Sequence, residues 1–224
     1  MSDPMTLTLG GHACIRFERD GRRLVVDPGS FSDLALLDDA DAVLVTHEHP
    51  DHVDPAALVA ALGRRGRLEV WAPAGVVDQL VAAGAPAERL HAAADGDAFT
   101  AAGFDVRAVG EAHAVIHPDL PPVTNVAYLV DGTVLHPGDS FTLPPAGVEV
   151  DLLLVPVSAP WLRLADAIDY VRAVRPRVAS PIHDAILSDT GKALCDRLVS
   201  GLGGAQEYRR LTPGEPVAYA APEA

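Results

Sequence analysis

Thr46-His47-Glu48-His49-Pro50-Asp51-His52-Val53-Asp54 is the stretch on which the reading of this chain turns. Three histidines and one aspartate fall within six positions, in the pattern H-x-H-x-D-H. Imidazole and carboxylate are the side chains that zinc and neighbouring divalent metals take as ligands. The run follows Asp41-Ala42-Val43-Leu44-Val45, which is apolar and strand-like, and precedes Pro55-Ala56-Ala57-Leu58-Val59, which starts like a helix. The ligand-type residues therefore belong to a loop at the C-terminal end of a strand, where α/β proteins place binding residues. His47 and His49 are two apart and share a face in extended chain, so both can reach one metal. Asp51 and His52 come after the chain has turned and can face a second.

Working outward, more residues of the same kind stand at strand ends. Asp27-Pro28-Gly29 follows Leu24-Val25-Val26, and Gly110-Glu111-Ala112-His113 follows Phe104 to Val109. His136-Pro137-Gly138-Asp139 follows Thr133-Val134-Leu135, and Ser180-Pro181-Ile182-His183 follows Arg177-Val178-Ala179. This set, in this order, resembles the metallo-β-lactamase superfamily of metal-dependent hydrolases, from about residue 5 to about residue 220. Leu9-Gly10-Gly11-His12-Ala13-Cys14 and Thr212-Pro213-Gly214-Glu215 are similar to its compact L-ascorbate-6-phosphate lactonase-like branch.

The resemblance implies an α+β fold, the four-layer αββα sandwich. It implies two divalent ions, zinc foremost, with manganese or iron as alternatives. His47, His49 and His113 would hold one, and Asp51, His52 and His183 the other. Asp139 would bridge them, and Asp27 would support the site without ligating metal. Asp51 and Asp27 are the residues to which it gives catalytic roles. The nucleophile would be a metal-bound hydroxide, since a divalent ion lowers the pKa of its water to about 7. No G-x-S-x-G elbow is present to suggest a serine nucleophile.

Composition sets the outer bounds. The 224 residues suit one domain spanning 1–224, large enough for a full core, with aliphatic residues dominating because only 5% are aromatic. Cys14 and Cys195 form no metal-type pair; a disulfide between them stays open, and sparse cysteine fits a cytoplasmic protein. No apolar run reaches the roughly 18–20 residues of a membrane helix, and Leu152 to Leu162 is broken by Pro156 and Pro160. Met1-Ser2-Asp3-Pro4-Met5 lacks a signal-peptide pattern, and Met5 is an alternative start. A formal charge of −14 disfavours long nucleic acids as partners. Arg64, Arg65 and Arg67 read as a solvated helix end rather than a phosphate track. The expected partner is a small-molecule substrate, with no membrane; oligomeric state is left open.

Strands are expected at 5–9, 13–19, 22–26, 42–46, 68–72, 89–91, 98–101, 103–109, 125–131, 133–136, 151–157, 177–181, 206–210 and 216–219. Helices are expected at 55–64, 75–83, 164–174 and 190–201. Asp54 reads as the N-cap before Pro55. His117 competes with His113 as ligand but reads as a loop residue at the pocket mouth, and His136 divides between site contact and strand packing. His12 reads as structural in the turn between the first strands, and His91 as a surface histidine. Ser158, Trp161 and Leu162 are candidates to line the pocket, with packing the reading preferred for Trp161. Asp184 is ambiguous, and Arg163 is a candidate anion contact.

Two dications, two carboxylates and one hydroxide leave the centre about +1, which favours a small anionic ester, lactone or phosphoester. A phosphodiesterase or nuclease is the competing enzyme class. A non-catalytic metal-binding or regulatory protein that keeps the fold is the competing class outside enzymes.

Overall fold

The computed structural model describes residues 4–220, so Met1, Ser2 and Asp3 of the N-terminal segment read above lie outside the described residues. The described residues build two seven-stranded sheets. In the first, β1 (Met5–Gly11), β2 (Cys14–Arg19) and β3 (Arg22–Val26) form an antiparallel meander. β4 (Ala42–Leu44), β5 (Glu69–Ala72) and β6 (Leu90–Ala92) continue it in parallel. The second sheet repeats the plan. β7 (Ala98–Ala101), β8 (Phe104–Val109), β9 (Ala127–Val130) and β10 (Val134–His136) alternate in direction. β11 (Leu152–Pro156), β12 (Val178–Ile182) and β13 (Glu207–Tyr208) then run parallel to β10. The last strand, β14 (Pro216–Tyr219), returns to the first sheet and pairs antiparallel with β1.

Four helices cover the outer faces, packed where parallel crossovers need them. α1 (Pro55–Arg64) begins where the Asp54 side chain accepts the Ala57 N–H at 2.9 Å, with Pro55 in the first turn. It buries Leu58, Ala61 and Leu62, three to four apart on one face. α2 (Ala74–Ala82) lies beside it; α3 (Leu164–Val174) and α4 (Asp189–Leu202) cover the second sheet.

The layering explains why the strands read as unbroken apolar runs. Leu24 and Val26 point into the core between the sheets, while Val25 points to the α1/α2 side. Leu152 and Leu154 likewise face the inter-sheet core, and Leu153 and Val155 face α3 and α4. Burial on both faces removes the polar alternation that would have revealed either one. The architecture is the expected four-layer αββα sandwich. Differences from expectation are at the margins: β4 ends at Leu44 because Val45 and Thr46 are already turning into the loop, and β13 is two residues long. Cys14 and Cys195 are both free, in separate helix-side cores, which excludes the disulfide left open above.

One consequence positions the site. Within each sheet, β1, β3 and β4, and β8, β10, β11 and β12, run in the same sense, as the pairings require. Their C-terminal ends carry His12, Asp27, His47–His52, His113, Asp139, Ser158 and His183.

Candidate metal centre

Two groups of ligand-type side chains meet at these strand ends. His47, His49, His113 and Asp139 form one, and His12, Asp51, His52 and His183 form the other, each with its ligand atoms within 4.8 Å of one another. All seven residues proposed as ligands from the sequence are in the two groups. His12 is the eighth. His117 is in neither: it is exposed, beside Asp119 at 3.5 Å, which leaves His113 as the histidine of that loop.

The loops are held by close backbone packing. A side chain on Gly29 would place its Cβ 2.0 Å from the Asp51 carbonyl, so the Asp27-Pro28-Gly29 turn lies directly against the ligand loop. A Cβ on Gly138 would lie 2.3 Å from Asn125 Oδ1, and Gly138 also has a φ of 60°, so two constraints demand glycine there. Asn125 accepts the Asp139 N–H at 2.9 Å and fixes the turn that presents that carboxylate. His12, Asp27 and His183 all have positive φ, at 51°, 52° and 60°. Non-glycine residues in that region concentrate at functional sites, where surrounding structure holds them.

The ring orientations follow from what each histidine does with its other nitrogen. Asp27, fully buried, accepts the Thr46 N–H at 2.7 Å and the Thr46 hydroxyl at 2.7 Å, and stands 2.7 Å from His52 Nδ1. The Thr46 hydroxyl, committed as donor to Asp27, lies 3.0 Å from His47 Nδ1 and accepts from it. His113 Nδ1 donates to the Ala114 carbonyl, and His183 Nδ1 to the Ser158 carbonyl at 2.6 Å. Each arrangement turns Nε2 inward, the way metal-ligating histidines are oriented in known sites.

Those inward atoms are the test of whether a cation fits. His52 Nε2, His113 Nε2, His183 Nε2 and Asp139 Oδ1 are buried without a hydrogen-bond partner. His52 Nε2 and His183 Nε2 each lie 3.1 Å from Asp139 Oδ1, His113 Nε2 lies 3.3 Å from Oδ2, and His183 Nε2 lies 3.4 Å from Asp51 Oδ2. Ligands about 2.0–2.1 Å from a tetrahedral zinc are separated by about 3.3 Å, so this spacing suits shared ions. Asp139 is central to both groups, the position a bridging carboxylate needs.

The electrostatics divide the two groups. Burial holds His47 well below the ordinary imidazole value, with the charge of His52 adding to it, and burial and His113 hold His49 down. Burial also acts to lower His52, but Asp27 and Asp139 outweigh it and push that pKa up to about 10. His183 follows the same pattern: burial lowers it, yet Asp139 and Asp51 push it up to about 9. Burial would raise Asp139 and Asp51. His52, His113 and His183 bring the first well below the carboxylate range, and His12 with His183 bring down the second.

Several readings of individual residues need revision. His12 is no mere turn residue. It is buried; its Nδ1 accepts the Ala185 N–H at 3.3 Å, so Nε2 carries the proton and donates to Asp51 Oδ2 at 3.1 Å. With both nitrogens engaged it acts as an orienting donor to Asp51. Its own carbonyl accepts the His183 N–H at 2.9 Å, tying two loops together. Trp161 does not simply pack: its Nε1 donates to Asp139 Oδ2 at 2.8 Å. His136 is a buried clamp, with Nε2 donating to the Ala13 carbonyl at 2.8 Å and Nδ1 accepting the Gly138 N–H at 3.2 Å. Asp184 is taken up by Arg210 and Lys192, and Arg163, 83% exposed at its side chain, pairs with Asp166. Neither is a free group in the site. Arg64 pairs with Asp38 at the end of α1, as a solvated helix end would. His91 sits at the sheet edge, stacked on Trp71 at 4.7 Å.

The fold and this geometry have counterparts. Residues 6–183 match the family described as the beta-lactamase superfamily domain, and the chain belongs to that family. Protein Rv0786c of Mycobacterium tuberculosis is 39% identical over 196 residues, which cover 85% of this chain and 89% of the relative. A UPF0173 metal-dependent hydrolase of Staphylococcus carnosus is 26% identical over 80% of this chain and 85% of its own. Among solved structures, the metallo-beta-lactamase fold protein YhfI of Bacillus subtilis superposes with a TM-score of 0.74 at 18% identity, covering 96% of this chain and 99% of that one. No helix among the described residues is long and apolar enough to cross a membrane.

Proposed function

We propose that the chain is a metal-dependent hydrolase with a dinuclear centre, acting in the cytoplasm on a small ester, lactone or phosphoester. The observation that carries this is the set of inward, unpartnered atoms on His52, His113, His183 and Asp139, flanked by His47, His49 and Asp51. Family membership and the metal-dependent hydrolase of Staphylococcus carnosus support the same reading. Zinc suits the histidine-rich donor set best, with manganese and iron also compatible.

Two divalent ions, when bound, would make a nucleophilic water available near neutral pH and polarise the oxygen of the bond under attack. The chain's own residues supply the rest. Asp27 orients His52 directly and His47 through Thr46, so one buried carboxylate sets the donor geometry of both groups. His12 holds Asp51, whose side chain is 24% exposed, and with His183 keeps that carboxylate ionised. In ester hydrolysis the acyl–oxygen bond breaks and the acyl carbon takes the water oxygen. One water proton goes to the departing alkoxide, and the other leaves with the acid.

The charge argument for an anionic substrate is weaker than the ligand carboxylates alone suggest. Asp27 lies within hydrogen-bond reach of His52, and counting it as a third carboxylate takes one more charge from the centre. Preference for an anion then rests on direct contact with the ions. Elemental analysis of the purified chain, followed by turnover assays on matched neutral and anionic esters, lactones and phosphodiesters, tests the proposal. Two ions per chain and metal-dependent turnover are expected. Full metal loading with no turnover on any class would favour a binding protein, and efficient cleavage of single-stranded nucleic acid would favour a nuclease.

A further inference from the structure

Nine large apolar side chains are exposed among the described residues. Val81, Leu194 and Leu202 lie on α2 and α4, where scattered apolar residues need no explanation. The other six are Phe31, Val115, Ile116, Leu120, Leu143 and Ile186, between 37% and 72% exposed. Every one lies in a loop that leaves the site. Phe31 follows Asp27, Val115, Ile116 and Leu120 follow His113, Leu143 follows Asp139, and Ile186 follows His183.

Three further observations point the same way. The His113 loop runs from residue 110 to 126 with no helix or strand. Connections longer than roughly 12–15 residues are uncommon in compact domains and usually serve binding or catalysis. The ring of Phe31 sits edge-on to His12, with centroids 5.3 Å apart, so one of the six lies directly against a ligand group. The same loops are poor in positive charge: residues 28–33, 110–126, 137–150 and 183–188 contain no lysine or arginine. A densely charged metabolite would find no cationic side chain in these four loops, whereas an apolar group would find cover in all of them. Exposed apolar side chains gathered on the loops around a polar centre are a common mark of a ligand site.

We propose that the substrate carries an acyl or alkyl chain beside the bond that is cleaved, and that Phe31, Val115, Ile116, Leu120, Leu143 and Ile186 receive it. This rests on the hydrolytic reading of the metal centre and narrows it: the ions take the reacting polar group and the loops take the tail.

The test is calorimetric titration of methyl-, butyl-, hexyl- and octylphosphonate into the zinc-loaded full chain, with hydrolysis of p-nitrophenyl acetate, butyrate and octanoate measured alongside. Affinity should rise about two- to fourfold per added methylene as the tail leaves water. The double variant Leu120→Ser/Ile186→Ser should flatten that slope, and Leu194→Ser on α4 should leave it unchanged. A flat slope in the unaltered chain, or one that survives the double variant, overturns the proposal. Sedimentation of both forms covers a second occupant: a dimer that separates in the double variant, with a flat phosphonate slope, assigns the surface to a second copy and also overturns it. Rising phosphonate affinity without hydrolysis of any ester supports the tail site while removing the hydrolase reading. Hydrolysis indifferent to chain length, with flat binding, does the reverse.

Discussion

The two ligand groups share Asp139 as neighbour but are prepared for a cation in different ways. In the group of His47, His49, His113 and Asp139, burial keeps His47 and His49 below the ordinary imidazole value, so both are neutral and ready to bind metal at pH 7. In the group of His12, Asp51, His52 and His183, nearby carboxylates push His52 to about 10 and His183 to about 9. Protons there hold the place of a cation and must leave before a metal can enter, since only the unprotonated ligand binds. The lesson is that residue types alone do not rank two sites. His47 and His49, held down by burial and by neighbouring imidazoles, differ as candidate ligands from His52 and His183, which Asp27, Asp51 and Asp139 hold up. The first group should fill first at neutral pH, and the second later.

The harshest way to break this contrast is to remove what the groups share. Asp139→Ala should lose one ion and lower activity by roughly 10³-fold, several kcal/mol of transition-state stabilisation. Metal content by mass spectrometry together with kcat/KM reads both. Retention of both ions with normal turnover would mean that another carboxylate bridges.

Next is the pH dependence of metal binding. Affinity for the second ion should climb about tenfold per pH unit, for each proton displaced, from pH 7 to about 9–10. Affinity for the first should change little over that range. Stepwise zinc titrations at several pH values decide it, and parallel slopes for both ions would erase the distinction.

Asp27→Asn should reach both groups, because Asp27 holds His52 directly and His47 by way of Thr46. A loss of about 10–100-fold in metal affinity is expected at each. His12→Ala should instead weaken only the second ion, by about tenfold, and His12→Gln should recover part of that because its amide can still donate to Asp51. Equal effects of His12→Ala on the two ions would show that it acts on the loops in general.

The smallest effect concerns the metal-free chain. His52 and His183 bind protons more tightly folded than unfolded, where imidazole titrates near 6.5. Their contribution to stability is complete below that pH and is lost as pH rises through about 9 and 10. The melting temperature without metal should therefore fall by several degrees between pH 7 and pH 10. With zinc bound the fall should disappear over pH 7–8, where the metal has already displaced these protons. An apo melting temperature that rises toward pH 10 would reverse the sign of the argument.

What the amino-acid sequence determined by itself was the local and the periodic. The H-x-H-x-D-H run lies on one loop, so His47, His49, Asp51 and His52 were legible from spacing. Asp54 and Pro55 announce the start of α1, and turn residues mark the hairpins at Asp20-Gly21 and Asp131-Gly132. His113, Asp139 and His183 were singled out as candidate ligands by the family resemblance, from their order at the ends of apolar runs. Tertiary structure decided everything that depends on which ends come together. His12, though part of the quoted Leu9–Cys14 stretch, was read as structural in its turn; only the strand directions carry the end of β1 to the same rim as β3, beside Asp51. Trp161 was read as packing because a sequence cannot show that its indole N–H reaches Asp139, 22 positions away. The protonation difference between the two ligand groups was equally invisible. It comes from burial and from carboxylates brought near by the fold, and the Coulomb interactions that set it depend on distance in space, which spacing along the chain does not encode.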